Sequence, residues 1–248
     1  MKHLLLATAG LFALAVTPAL AAPTGYVGGQ YLHYKVDTPF GDDDDNGWGV
    51  DGSVAFDAGR SLGVTLNAGY ADNGTFDATS GAAHLYLKNP NSLIGGFVGL
   101  ADANDATVWS VGGEGQYHYA NWTLAGALGY AKNDDSDSNL WGGNAAARVF
   151  VSDNLRLQGN AGLFRVDPGV GGNDTAWTAG VGGEWQLAAA PVSFFADYAH
   201  TAFDDTDVDT DAVRVGARLN FGGGTLKARD RSGADLAGLS SLTNVTGF

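Results

Sequence analysis

One segment near the end of the chain, residues 212–221 (AVRVGARLNF), limits the possible folds more than any other. Its apolar residues alternate strictly with polar residues and glycine, and two arginines fall on the polar face. A period of two with so clean an apolar face predicts a β-strand between a hydrophobic surface and a wet one. An amphipathic strand of a soluble sandwich has the same pattern, so the rest of the chain has to decide between the two architectures.

Segments of the same kind recur along the chain and are separated by turn residues. Tryptophan and tyrosine lie mainly near the segment ends on the apolar face, which is typical of the two aromatic belts of a membrane barrel. We predict about twelve strands, at residues 25–36, 47–57, 61–71, 77–88, 92–101, 107–119, 122–132, 140–151, 155–166, 175–187, 192–201 and 211–221. The aromatic residues assigned to the apolar face are Trp48, Tyr70, Trp109, Tyr119, Trp122, Tyr130, Trp141, Phe150, Trp177, Trp185, Tyr198 and Phe221.

The connections between the predicted strands alternate in length and charge. Odd-numbered connections are longer and acidic, such as DTPFGDDDDN at 37–46 and AFDDTDVDT at 202–210. Even-numbered connections are short turns, such as AGR at 58–60 and AN at 120–121. An even number of antiparallel strands with this alternation is the plan of a membrane barrel. The predicted fold is all-β, a closed antiparallel transmembrane β-barrel over residues 22–221 with long acidic extracellular loops and short periplasmic turns.

The first 21 residues predict an export signal. Lys2 precedes an apolar run over residues 4–16, and small residues follow up to Ala21. This is the layout of a secretory signal peptide, and the run is shorter than the roughly 18 apolar residues that a spanning helix needs. We therefore expect residues 1–21 to be removed on export.

Charge and composition exclude several partners and cofactors. The chain has 27 acidic against 13 basic residues and a net charge of −14, which makes nucleic acid a poor partner. It has no cysteine, so neither disulfides nor thiolate metal sites hold the fold. Its 38 glycines suit tightly packed strands around a crowded lumen better than a thick apolar core. We expect no cofactor.

The last strand also carries a short motif. Arg214, Gly216, Leu219 and Phe221 supply a polar residue, a glycine and a terminal hydrophobic-x-aromatic pair. Together with the export signal and the alternating connections, this motif resembles the closing strand of the Gram-negative outer-membrane β-barrel or porin-like family. The resemblance implies a location in the cell outer membrane, contact with outer-membrane lipids, and recognition by the outer-membrane assembly machinery.

Closure of such a barrel requires the first strand, GYVGGQYLHYKV, to pair with the last. Unpaired backbone groups in hydrocarbon would cost several kcal/mol each. Gln30 and His33 cannot share one face under strict alternation, so we expect a β-bulge near Gly28 and Gly29.

The polar phase of the strands predicts which side chains face the lumen. Many other inward positions are glycine or alanine and leave room for water. We therefore predict passive diffusion of small hydrophilic solutes, with a weak preference for cations set by the acidic loops. The alternative is a closed structural or adhesive barrel whose acidic loops bind divalent cations or surface partners. The charged and histidine residues predicted to line the lumen are Asp51, His84, Lys88, Glu114, His118, Arg148, Arg156, Glu184, Asp197, Arg214 and Arg218.

A narrower hypothesis uses the arginines of this set as a track for acidic oligosaccharides. Their more economical role is to neutralise carboxylates across the lumen, so the general diffusion channel is preferred.

Two acidic runs are weak candidates for divalent cations, because hard ions prefer several carboxylate oxygens. Neither run has the spacing of an EF-hand loop, so solvated acidic loops are the simpler interpretation. The candidate residues are Asp42, Asp43, Asp44, Asp45, Asp205, Asp207 and Asp209.

The residue pattern does not predict an enzyme. Ser110 and His118 share a predicted face, but at strand rise they lie about 26 Å apart, too far for a nucleophile and its base.

Residues 222–248 differ in character from the barrel sequence. Gly222, Gly223 and Gly224 break the strand, and the stretch TLKARDRSGADL carries mixed charge. Two interpretations stay open for this periplasmic tail: a disordered extension, or a partial plug whose basic residues meet an acidic lumen.

Overall fold

The computed structural model describes residues 22–74, 77–103, 106–169 and 172–239. The expected signal peptide, residues 1–21, lies outside the described residues. In chain order, the strands are β1 Thr24–Thr38, β2 Gly41–Asp57, β3 Leu62–Asp72, β4 Asp77–Asn89, β5 Ser92–Ala103, β6 Ala106–Tyr119, β7 Trp122–Asn133, β8 Ser138–Ser152, β9 Leu155–Asp167, β10 Asp174–Gln186, β11 Val192–Phe203 and β12 Val208–Phe221. A helix, α1 Leu226–Ser232, follows β12.

The twelve strands form one closed antiparallel barrel, which confirms the predicted fold. Each strand pairs with its neighbours in the sequence, and β1 pairs with β12 from Gly25↔Phe221 to Asp37↔Asp209. Closure lets the backbone groups of the wall pair within the barrel. Within the described ranges, no helix is long and apolar enough to cross a membrane.

The register of β1 shows that the predicted bulge was wrong. Gly28 and Gly29 face consecutive residues of β12 without interruption. Strict alternation places Gln30 and His33 on opposite faces of the strand, and no bulge is needed. A register shift occurs instead between β8 and β9, next to Phe150.

The two rims of the barrel differ in their connections. At the rim that we call the acidic rim, the strands extend into the segments predicted as long loops, so β2 already begins at Gly41 and β12 at Val208. Residues 39–40 and 204–207 are left as turns at this rim. The opposite rim, which we call the short-turn rim, carries residues 58–61, 90–91, 120–121, 153–154 and 187–191 and both ends of the closing pair, Thr24 and Phe221.

The outward phase of the strands presents an exposed apolar belt. Aromatic rings near the acidic rim pack against each other across strands, with Trp48 and Tyr70 centroids 5.4 Å apart and Tyr130 and Trp141 centroids 4.7 Å apart. Phe150 is a correction to the predicted apolar face, because it is 1% exposed and shares the inward phase of β8. The belt includes Val27, Leu85, Ile94, Val98, Leu128, Leu163 and Val181.

Candidate functional site in the barrel lumen

The lumen holds the C-terminal part of the chain itself. After β12 the backbone turns at Gly222 and Gly224, whose φ angles of 77° and 74° favour glycine. Thr225 then caps the N-terminus of α1 through its side chain, and residues 233–239 continue into the lumen. We call residues 225–239 the luminal segment.

The side of α1 nearest the rim is tied to the turns there. Lys227 donates to Asn121 at 2.8 Å and lies 3.3 Å from Asp153, and Arg231 donates to the backbone oxygen of Ala120. These contacts place α1 at the short-turn rim.

Arg229 is the central anchor of the luminal segment. Its guanidinium donates to both oxygens of Glu184 at 2.8 and 2.7 Å, and its Nε donates to Asp235 Oδ1 at 3.1 Å. Asn220 Oδ1 accepts a further bond at 2.5 Å, and the Tyr26 ring centroid lies 4.9 Å from the guanidinium carbon. The Arg229 side chain is 1% exposed, so its cation is buried but fully partnered.

Glu184 binds arginines of the barrel wall as well as Arg229 of the luminal segment. Arg156 on β9 lies 2.9 Å from Glu184 Oε2, and Arg218 on β12 lies 3.3 Å from the same oxygen. Ser193 donates to Oε1 at 2.6 Å. The wall therefore provides Glu184 with partners of its own, independent of Arg229.

Two carboxylates of the luminal segment bind arginines of the wall. Asp230 lies 2.5 Å from Arg148, and Asp235 lies 2.5 Å from Arg156. Burial on its own would raise the pKa of Asp235, but the guanidinium groups of Arg229 and Arg156 outweigh it and lower the pKa to about 2. Asp235 is therefore ionised at neutral pH and joins the segment to β9.

Polar side chains on the other side of the lumen bind the backbone of the luminal segment. These hydrogen bonds give the backbone carbonyl groups of the segment donors that water would otherwise have to supply. They are Ser53 Oγ to Ala234 O at 2.6 Å, Thr65 Oγ1 to Gly233 O at 3.1 Å, Asn67 Nδ2 to Leu236 O at 2.8 Å and Tyr86 OH to Ser232 O at 2.8 Å.

The two inward histidines lie among polar neighbours. His84 Nδ1 is 2.6 Å from Glu114 Oε1, and the backbone N–H of Gly238 donates to Glu114 Oε2 at 3.3 Å. His118 Nε2 lies 3.2 Å from the side-chain amide of Gln116. Both histidines are buried in the wall of the lumen.

The remaining charged residues of the predicted lumen set also lie in ion pairs. Arg214 is 3.4 Å from Asp197, and Arg218 is 3.2 Å from Asp51. Lys88 pairs with Asp57 near the short-turn rim. In this structure the arginines of the predicted lumen set are therefore neutralised by carboxylates of the wall and of the luminal segment.

An apolar cluster in the lumen was missed by the sequence analysis. It fills the part of the lumen between β5 and β10 toward the acidic rim, and Leu239 of the luminal segment packs into it. One sequence signal could have indicated this cluster. On the inward phase of these strands, apolar residues replace polar ones near the acidic rim. The cluster comprises Phe97, Val108, Ala127, Ala131, Leu140, Phe164, Val166, Ala176 and Leu239, with Ala101 and Phe203 against it.

A cavity of about 920 Å³ remains beside these side chains. The end of the luminal segment, Leu236 to Leu239, forms part of its wall. Polar residues such as Gln30, Gln158, Asn160 and Arg214 line it, together with Phe97 and Phe203 of the apolar side. The interior is thus a narrowed chamber with polar and apolar walls.

The acidic runs do not converge on one point. Asp42, Asp43, Asp44 and Asp45 lie within β2, where successive side chains alternate between the two faces. Asp205 and Asp207 lie in the turn before β12, and Asp209 is paired within β12. Across the described part of the chain, no group of three or more acidic or histidine side chains could hold a metal ion.

The closing motif lies at the β1–β12 seam. Arg214 and Gly216 point into the barrel, whereas Leu219 is 56% exposed on the belt. A Cβ on Gly216 would lie 2.4 Å from the backbone oxygen of Gly29 and 2.7 Å from the Phe195 ring. The glycine is therefore required by close packing at the seam.

A closed antiparallel barrel with an apolar belt outside and paired charges inside defines an outer-membrane β-barrel. The chain belongs to the outer membrane protein β-barrel domain family, whose match covers residues 4–221. Its location is therefore the cell outer membrane, as predicted. The comparison with curated protein sequences gives no significant match.

Solved structures with the same fold include porins and channels. The translocator domain of the autotransporter NalP from Neisseria meningitidis is 14% identical, with 86% of this chain and 93% of that chain covered and a TM-score of 0.53. An outer-membrane channel from Pseudomonas putida F1 is 12% identical, with 83% and 100% covered and a TM-score of 0.56. The NanC porin is 6% identical, with 80% and 100% covered and a TM-score of 0.56. At such identities the likeness establishes a porin-like barrel fold.

Proposed function

We propose that the protein is a porin-like channel for passive diffusion of small hydrophilic solutes, with a weak preference for cations. The supporting observation is a closed wall around a chamber of about 920 Å³ that is lined in part by amide and charged side chains. The proposal has no catalytic step. It orients the short-turn rim toward the periplasm, the apolar belt toward outer-membrane lipids, and the closing strand toward the assembly machinery.

The cation preference rests on the acidic rim. Charges deeper in the lumen are paired, so they produce little net field. Asp43 and Asp45 lie on the inward phase of β2, and Tyr34, which lines the chamber, donates to Asp45 at 3.3 Å. Carboxylates at a pore mouth raise the local cation concentration and repel anions.

Planar-bilayer recordings of the refolded protein test this function. We expect discrete conductance steps and, in a KCl gradient, a reversal potential on the cation side. Asp43→Asn with Asp45→Asn is expected to bring the reversal potential toward zero. The matched control is Asp42→Asn with Asp44→Asn, which makes the same charge change on the outward phase and is expected to have a smaller effect. Equal effects of the two pairs would contradict a charge-selective mouth.

A second candidate is a closed structural or adhesive barrel whose acidic rim binds divalent cations or surface partners. The observation that favours it is the luminal segment, which fills much of the lumen. This candidate predicts no conductance from any variant, with or without residues 225–248.

A further inference from the structure

We propose that the luminal segment is a latched gate. When residues 225–239 are docked they close the channel, and the channel opens when they leave through the short-turn rim on the glycine link 222–224. This inference rests on the proposed channel function and adds a closed and an open state to it.

The docked segment crosses the lumen rather than lining one wall. Its backbone binds Ser53 on β2 and Thr65 on β3, whereas its charged groups bind Arg148 on β8 and Glu184 on β10. Strands β2 and β8 are six places apart in a ring of twelve, so they face each other. In the proposed closed state, a solute would have to displace the segment to pass.

The link to β12 is built as a hinge. Gly222 has a φ of 77°, and a Cβ there would lie 2.0 Å from the backbone oxygen of Pro23. Gly224 has a φ of 74°, and among the residues that the structure describes none lies within 4 Å of the position that its Cβ would take. The first glycine fits a tight exit from the wall, and the second gives the segment an unobstructed pivot.

Ion pairs and hydrogen bonds make up the polar part of the latch, which suits reversible docking. Undocking of an apolar plug exposes two hydrophobic surfaces to water. Separation of ion pairs instead exposes charged groups that water solvates. The wall is also prepared for the departure of Arg229, because Glu184 keeps Arg156 and Arg218 as partners. The leucines of the segment, Leu226, Leu236 and Leu239, supply the apolar part of the docking.

A reversible cross-link tests the closed state in the full chain. The chain has no cysteine, so Ser53→Cys with Ala234→Cys introduces the only two thiols, at positions where Ser53 Oγ and Ala234 O are 2.6 Å apart. A short bifunctional methanethiosulfonate reagent is added to channels in planar bilayers. The cross-link holds the closed state, so we expect the mean current to fall about tenfold. The current should recover when a reducing agent cleaves the cross-link. Each single-cysteine protein should not respond to the reagent.

A weakened latch tests the open state. Arg229→Gln removes the charged bonds from the segment to Glu184 of the wall and is expected to raise the mean current at least tenfold, since one charge-assisted hydrogen bond alone corresponds to about that factor. The matched control is Arg60→Gln in the exposed turn 58–61, for which no change is expected. A chain that ends at Gly224 should conduct at least as well as Arg229→Gln.

The outcomes separate the gate from the channel. If the current is unchanged by the cross-link, by Arg229→Gln and by truncation, the gate is contradicted and the channel function is not. If no current is seen from any variant, including the truncated one shown to be folded by heat-modifiable gel mobility, the channel is overturned and the gate with it. A closing cross-link together with an opening Arg229→Gln supports both.

Discussion

Glu184 shows why a charged residue can be buried in this lumen. A carboxylate that is 1% exposed loses its hydration, and that cost is met only by close cationic partners. Arg156, Arg218 and Arg229 supply three of them. Two of these arginines belong to the wall and stay in the lumen whether or not the luminal segment is docked.

Glu184→Gln is expected to lower the free energy of unfolding by about 3 kcal/mol, because it leaves the wall arginines without their shared counter-charge. The measurement is guanidinium unfolding in detergent micelles, followed by gel mobility. Asp153→Asn, on the exposed short-turn rim, is the control and is expected to change stability by less than about 0.5 kcal/mol. Equal stability of the two variants would contradict the prediction, because it would mean that water solvates the wall arginines when Glu184 no longer carries a charge.

Among the strands, β12 carries two requirements at once. Its outward phase continues the apolar belt, and its inward phase brings Arg214 and Arg218 into the lumen beside Gly216. The seam with β1 is close-packed at Gly216, where the backbone of Gly29 leaves no room for a side chain. The glycine of the closing motif is thus explained by packing at one strand pair.

Gly216→Ala is expected to destabilise the barrel by about 2 kcal/mol through overpacking at this seam. Gly113→Ala is the matched control, because a Cβ on Gly113 would meet its nearest atom, the Gly95 oxygen, at an ordinary 3.7 Å. The fraction folded after heating in detergent, read from gel mobility, measures both. A Gly216 variant as stable as the Gly113 variant would argue against a packing role.

For the molecule as a whole, the barrel and the luminal segment form two bodies joined by charge. The carboxylates of the segment pair with two wall arginines, Arg148 and Arg156, and Arg156 also binds Glu184 of the wall. Docking therefore depends in part on the charge of Asp235, which joins the segment to Arg156.

Acid is expected to release the luminal segment below about pH 4. The guanidinium groups of Arg229 and Arg156 lower the pKa of Asp235 from its ordinary 3.8 to about 2, and the ion pair of ionised Asp235 with Arg156 of the wall contributes to docking above pH 4. That contribution is lost as the pH falls through 4 to 2. Pepsin cleavage near Leu226 and Leu236, followed by mass spectrometry, should accelerate across this interval. Asp235→Asn should show a flatter pH response than the native chain, and parallel profiles would contradict the prediction.

Much of the fold was predictable because strand alternation is local. The twelve strands, their antiparallel order and the pairing of β1 with β12 follow from period-two patterns and from the need to close a membrane wall. The extent of the strands was not predictable, because Asp42 to Asp45 are poor strand formers that extend β2 only with β1 paired beside them. Phe150 lies on the inward face although it is aromatic, because its place in the alternation of β8, and not its side-chain type, sets the face that it occupies.

The amino-acid order was sufficient for the class of the protein and its membrane address, since these depend on patterns among neighbours along the chain. The lumen is different. Arg229 and Glu184 are 45 positions apart, and nothing in either local pattern indicates that they meet. Barrel curvature and register set which inward side chains face each other, and the path of the chain after Gly224 sets which of them receive the luminal segment. Partners across a lumen are therefore a property of the closed three-dimensional wall, because each contact joins residues that only closure brings together.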